Sequence, residues 1–308
     1  MRIRTPGALL LTLAALCCVF ASRPSTARAD SITVIPPKFE VYGNPGDVIS
    51  DSIKVTSDAP TQVTYQVEVQ DFTPQGDQGG VNILDDPQAP ITNISLARWI
   101  TAEPSRFTLD SGQEKVVNFT IKIPKSGEPG GKYATILIRR AGDKISGGAI
   151  VDTQVGSLLL LRVSGNVTEK LNLVSLTTDD TYYQHGPVSF TLRTTNTGNV
   201  HVAPTGTFVI TNMFGHKVAE IPLTRANVLP TSTRAVKTVW DNQKIIGRFT
   251  ANLVANYGQQ NQQIVASTSF TIIPLSLIWA VVILLVVLFL MVTQRRHIRR
   301  LINRITSD

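Results

Sequence analysis

Between Pro274 and Val292 the chain runs nineteen residues without a charge, and Arg295, Arg296, Arg299, Arg300 and Arg304 follow at once. At 1.5 Å of rise per residue such a run covers roughly 30 Å, the hydrocarbon thickness of a bilayer. It predicts a single transmembrane helix over 274–293 and a basic tail over 294–308. Arginines resist translocation, so the tail is expected in the cytoplasm and everything before Ile272 outside the cell. Ile298, Leu301, Ile302 and Ile305 repeat at helical spacing among those arginines, a stripe suited to lying on anionic lipid or to prolonging the span.

The N-terminus reads independently as an export signal. Arg2 and Arg4 precede an apolar run from Ala8 to Ala21, and Ala27-Arg28-Ala29 has the small-x-small form of a signal-peptidase site, so 1–29 is expected to be removed. Cys17 and Cys18, the two cysteines of the chain, both lie in that segment. The exported part then holds no disulfide, cysteine nucleophile or thiolate metal site, and its stability rests on core burial.

The formal net charge of +7 is carried by the two ends. Four arginines in the leader and five in the tail, set against Asp308, account for eight charges, which leaves the segment between them at about −1. Such a surface has no basic field to offer phosphates, and nucleic acid is not an expected partner.

Apolar and polar residues alternate along most of that segment, the period of a half-buried strand. Val63, Tyr65, Val67 and Val69 share one face; so do Val117, Phe119, Ile121 and Ile123, then Val188, Phe190 and Leu192, then Phe249, Ala251, Leu253 and Ala255. Turn clusters such as Gly43-Asn44-Pro45-Gly46 and Asn196-Thr197-Gly198-Asn199 separate these runs. The expected fold is all-β, with two immunoglobulin-like β-sandwich domains over 30–165 and 166–273 ahead of the helix. The boundary is set near Gly165, between the apolar strand Ser157–Val163 and an opening strand over Val167–Leu176.

Asp71–Asn93 reads as the longest irregular stretch. Asp71, Asp77, Asp85 and Asp86 stand there among glycines; calcium is one reading, and a recognition loop is the preferred one. His185, His201 and His216 are isolated in sequence and are expected as solvated loop residues rather than zinc ligands. No nucleophile elbow or phosphate-cradling loop is present, and no pattern calls for a catalytic residue, a metal or another cofactor. Trp99 and Trp240 are expected in the cores, with Trp99→Ala costing roughly 3–5 kcal/mol. Leu229-Pro230-Thr231-Ser232-Thr233 departs from a sortase signal, since its fourth residue is Ser and no Gly follows; it is expected to be a turn.

Ile35-Pro36-Pro37, Asn44-Pro45-Gly46-Asp47, Ala97-Arg98-Trp99-Ile100, Phe107-Thr108-Leu109-Asp110-Ser111-Gly112 and Pro129-Gly130-Gly131-Lys132-Tyr133-Ala134 stand in order along the first domain. Together they make residues 32–164 resemble the peptidoglycan-binding domain of bacterial WxL-interacting surface proteins. The resemblance implies a non-enzymatic surface protein that attaches to wall peptidoglycan and engages a surface protein. The second domain lacks that family's Ala-Pro-Asn-Ser turn. Two other functions are kept open. One is a chaperone-like assembly factor that offers sheet edges to exported proteins; it would need a basic pair in a cleft, for which Arg139-Arg140 is the candidate. The other, least favoured, is an exported hydrolase.

Overall fold

Two prolines set the layout of the first sandwich. β1 (Ile32–Ile35) pairs antiparallel with β3 (Val48–Ser57), whereas β2 (Lys38–Gly43), just past Pro36-Pro37, runs parallel to β10 (Gln154–Val163) in the facing sheet. Proline has no N–H for a ladder, so the pair ends one strand and lets the chain cross to the other layer. A computed structural model supplies these coordinates and describes residues 31–84, 92–141, 154–242 and 246–305, with side chains as far as Gln294. The expected leader, Asp85, Asp86 and the side chains of the arginine tail lie outside the described residues.

One sheet has the order β1-β3-β8-β6, with β6 at Ile100–Glu103 and β8 at Glu114–Lys122. The facing sheet has the order β2-β10-β9-β4-β5, with β4 at Val63–Gln75, β5 at Gly80–Ile83 and β9 at Gly130–Arg140; β7 (Arg106–Leu109) also pairs with β4. Val63, Tyr65 and Val67, and Val117, Phe119, Ile121 and Ile123, which the alternation set on one face, lie in one buried core together with Ile53, Val55, Ile136 and Ile138. Each such side chain adds roughly 1.5–3 kcal/mol over leaving it in water. In β10, Leu159 and Leu161 enter that core while Leu160 is buried on the opposite face. A strand covered on both sides loses its alternation, which is why Leu158–Leu161 reads as an unbroken apolar run.

The second sandwich stacks β11 (Leu171–Thr178), β13 (Val188–Asn196) and β16 (Thr233–Trp240) against a sheet of order β12-β18-β17-β14-β15. These are β12 (Tyr182–Tyr183), β14 (Thr205–Asn212), β15 (Lys217–Pro222), β17 (Gly247–Tyr257) and β18 (Gln262–Ile272). Its core is aromatic: Phe190 stacks on Phe208 at 5.1 Å, Phe249 on Phe270 at 5.7 Å, and Trp240 meets both Phe249 and Phe270 edge-on at 5.9 Å. The chain is thus mostly β, two immunoglobulin-like sandwiches made of four sheets, as the periodicity implied.

Only Ile273 and Pro274 separate β18 from α1 (Leu275–Ile305). Leu275–Gln294 is long and apolar enough to cross a membrane, and none of it packs against the sandwiches. The helical backbone continues into the basic tail as far as Ile305.

One expectation fails here. Asp71–Gln75 belongs to β4, and Gly80–Ile83 forms a hairpin with it, Phe72 facing Ile83 and Gln75 facing Gly80. The stretch is ordered because Phe72 is buried on the outer face of the sheet, a contact that needs the second sandwich.

Candidate functional site

The outer face of the β2-β10-β9-β4 sheet meets the second sandwich. Phe72 from β4, Tyr133 from β9 and Leu160 from β10 form a separate buried cluster there, with Val81, Ile94, Leu158 and Leu229 packed around it. Leu229, from across the interface, belongs to the stretch that resembles a sortase signal; Ser232 Oγ donates to Leu229 O at 2.7 Å and closes the turn.

Polar contacts bind the same interface. The His201 backbone N–H donates to Tyr133 Oη at 2.9 Å, and Tyr133 Oη lies 3.3 Å from His201 Nδ1. Gly131 N–H donates to Asn199 O at 2.8 Å. The β4–β5 hairpin tip reaches over: Ala235 N–H donates to Asp77 O at 2.7 Å, and Arg193 pairs with the Asp77 carboxylate at 2.8 Å. Glu40 collects Lys38 at 2.6 Å, Asn227 at 2.7 Å and Arg225 at 3.5 Å. Burial alone would raise the Glu40 pKa, but the bonds from Lys38 and Asn227 and the charges of Lys38 and Arg225 outweigh it and hold it below the usual carboxylate range.

Beside this network lies a cleft of about 260 Å³. Its floor is Phe72, Val81, Leu158, Leu160 and Leu229, and its rim carries Lys38, Arg225 and Arg234. Lys38 and Arg225 share the single carboxylate of Glu40. Arg234 has none: its Nε is buried without a hydrogen-bond partner among the described residues. An unpaired buried guanidinium N–H is costly, so the site favours an anion. Gly79 makes room for it. With φ at +82°, a Cβ there would fall 0.8 Å from Arg234 Nη1, so only glycine leaves the guanidinium in place.

β10 also has an open edge, which begins next to Leu158 of the cleft and runs away from the second sandwich, towards Arg139. β2 covers β10 from Leu158 to Val163 only, so Gln154–Ser157 have β9 on one side and no paired strand on the other among the described residues. Leu158 N–H donates to Pro37 O. By the two-residue period of a strand, the N–H and C=O of Gly156 and Gln154 point to that same, uncovered side.

The residues singled out in the sequence fall elsewhere. Arg139 and Arg140 end β9 at the pole away from the second sandwich; Arg139 pairs with Glu68 at 3.4 Å, so they are not the cleft's cations. Lys38, Arg225 and Arg234 carried no local signal, since their assembly depends on three separated segments. Asp71 accepts the N–H groups of Leu96 and Ala97 at 2.8 and 2.7 Å, a structural use of that carboxylate. Among the described residues no group of three His, Cys, Asp or Glu is placed to hold a metal ion. His185 and His216 lie in turns, but His201 is 8% exposed, against the expectation of a solvated loop residue.

Trp240 takes its expected core position, whereas Trp99 is half-buried at the rim of the first core. Its ring carries Lys132 Nζ at 5.8 Å from the centroid. With Asn93, Arg98, Glu128 and Lys132 it borders a surface cavity of about 410 Å³. Lys132 also donates to Asn93 O; burial lowers its pKa, with Glu128 pulling the other way. Since the ring packs only at the edge of the core and is partly exposed, Trp99→Ala is expected to cost below about 2 kcal/mol, less than the loss of a core tryptophan. Urea denaturation of the detergent-solubilised chain measures it.

No family model matches this sequence and no curated protein matches it, so the likeness to WxL-interacting proteins rests on the motifs quoted above. Solved structures similar to the two sandwiches include a chaperone–tip adhesin complex of CFA/I fimbriae, at 11% identity over 77% of this chain and 98% of that chain, TM-score 0.41. The Escherichia coli chaperone DraB matches at 14% identity over 80% of this chain and 98% of its own, TM-score 0.37. A PapD-like domain of human CEP192 matches at 12% identity over 46% of this chain and 92% of its own, TM-score 0.31.

Proposed function

We propose that this chain is a membrane-anchored, non-enzymatic binding protein that holds an extended segment of another exported polypeptide. α1 spans the cell membrane, the sandwiches stand outside the cell and the arginine tail lies in the cytoplasm. The observation that carries the binding reading is Arg234: a guanidinium N–H that is buried and without a partner among the described residues, in a cleft lined by apolar side chains, one of which, Leu158, adjoins the unpaired stretch of β10. A peptide strand laid on Gln154–Gly156 supplies the missing main-chain partners. Its apolar side chains fill the cleft, and a carboxylate at its end or on a side chain pairs with Arg234. A small anion alone would leave the sheet edge unused.

The test is retention of extended peptides bearing an acidic end on the detergent-solubilised chain. Lys38→Glu combined with Arg234→Glu is expected to weaken retention by about ten- to hundredfold, the worth of a lost charge-assisted hydrogen bond. Unaltered retention by a normally folded double variant would remove the cleft as the site.

A second reading, attachment to wall peptidoglycan, is supported by the cavity beside Trp99. Two of the stretches that carry the family resemblance, Ala97–Ile100 and Pro129–Ala134, meet there, and an aromatic ring among polar groups suits a sugar. Sedimentation with insoluble peptidoglycan separates the two readings: loss of binding in Trp99→Ala, with the cleft variants unaffected, assigns the glycan to this cavity.

A further inference from the structure

The pole of the second sandwich opposite the cleft carries large apolar side chains that nothing covers among the described residues. Met213 and Phe214 at the β14–β15 hairpin tip are 69% and 75% exposed, and Tyr182 is 75% exposed. Among the described residues ahead of α1, three aromatics are strongly exposed, Tyr42, Tyr182 and Phe214, and two of them share this pole. The hairpin is built to hold its side chains outward. Asn212 Oδ1 accepts the N–H groups of Phe214 and His216, both at 3.0 Å, and Gly215 turns the chain at φ +80°. The backbone is satisfied within the turn, while Met213 and Phe214 have no cover.

Register places these residues at the membrane. β14 ends at Asn212, opposite Phe249, which faces Phe270 of β18. Two further residues bring Met213 and Phe214 to the level of Ile272, the last residue of β18. Tyr182 faces Thr271 and Tyr183 faces Ile272. Ile273 N–H still donates to Tyr183 O at 2.8 Å, so the sandwich holds the chain until one residue before Pro274. The two residues Ile273 and Pro274 reach at most roughly 7 Å, and the headgroup layer on each side of a bilayer is about 5–7 Å thick. Trp279, little more than one turn into α1 and 63% exposed, suits the aromatic belt at that boundary. Neighbouring strands lie about 4.8 Å apart, so Tyr182 flanks β18 at about 5 Å on one side and the hairpin at about 10 Å on the other.

We infer that this pole is a lipid-docking surface: Met213, Phe214 and Tyr182 seat in the headgroup layer around the span and fix the sandwiches in one orientation on the bilayer. Charges here are mixed, Asp180 and Asp241 against Arg248, so zwitterionic phosphatidylcholine suffices. The inference rests on α1 spanning the membrane and is independent of what the cleft holds.

The test uses the full chain with Cys17→Ser and Cys18→Ser, reconstituted at one copy per phosphatidylcholine nanodisc. Single cysteines at Phe214→Cys, Tyr182→Cys, Tyr42→Cys and Val286→Cys carry an environment-sensitive fluorophore, and nitroxide-labelled phosphatidylcholine quenches it. Shallow nitroxide is expected to quench the probes at 214 and 182 several-fold more than the probe at 42, while deep nitroxide quenches the probe at 286. Quenching at 286 with none at 214 and 182 beyond that at 42 overturns the docking surface and leaves the span standing. Absence of deep quenching at 286 overturns both. Protection of 214 that arises only with two copies per disc identifies a second chain as the cover and overturns the lipid assignment.

Discussion

Tyr133→Ala is expected to destabilise the protein by about 3–5 kcal/mol and to uncouple its two sandwiches. The ring is 1% exposed and packs on Phe72 at 5.9 Å and on His201 at 5.7 Å, one contact from each side of the interface. Its hydroxyl accepts the His201 backbone N–H, so truncation opens a cavity and also strands a buried donor. Gly131 shows how closely the ring is fitted: a Cβ there would lie 2.0 Å from Tyr133 Oη. Scanning calorimetry of the detergent-solubilised chain is expected to show one coupled transition for the native sequence and two for Tyr133→Ala. Tyr133→Phe keeps the ring and leaves only the donor unpaired, so its cost is expected near 1–3 kcal/mol. A single transition at native temperature in the Ala variant would show that the interface contributes little.

The second large effect is a loss of stability in mild acid, centred on His201. Burial lowers its pKa from 6.5 to about 4; Glu40 opposes this, and Arg162 and Lys38 add to it. The folded protein therefore holds the ring neutral where the unfolded chain already binds a proton. Stability contributed by this group is complete above pH 6.5, falls as pH drops from 6.5 towards 4, and levels off below. At 1.36 kcal/mol per pKa unit the full loss is about 3 kcal/mol. Denaturant midpoints across that range, compared between the native sequence and His201→Phe, isolate the term, because carboxylates titrate alike in both. Parallel pH profiles would assign the acid sensitivity elsewhere.

Both effects sit on a surface that local patterns describe poorly. His201 follows a run of Asn, Thr and Gly that reads as an open turn, and the run is one; what buries the imidazole is Tyr133, 68 positions earlier in the chain. Trp99 and Trp240 look alike in sequence, yet Trp240 closes an aromatic core while Trp99 stays at a rim under Lys132. Asp71–Asn93 reads as loop because its glycines and aspartates are loop formers, and its first part, Asp71–Gln75, becomes strand because Phe72 has a partner surface to enter.

What the sequence alone determined is what neighbours along the chain can decide. Strand period, proline and glycine breaks and an uncharged run of bilayer length are properties of consecutive residues, and from them came the all-β class, the two sandwiches and the apolar helix. The tertiary structure alone decided the sites. Lys38, Leu158 and Arg234 share one cleft, and Tyr182 and Phe214 share one pole, because strand register and the docking of one sandwich on the other bring together segments far apart in sequence. Register depends on the summed burial of whole sheets, and no short stretch of residues contains that sum.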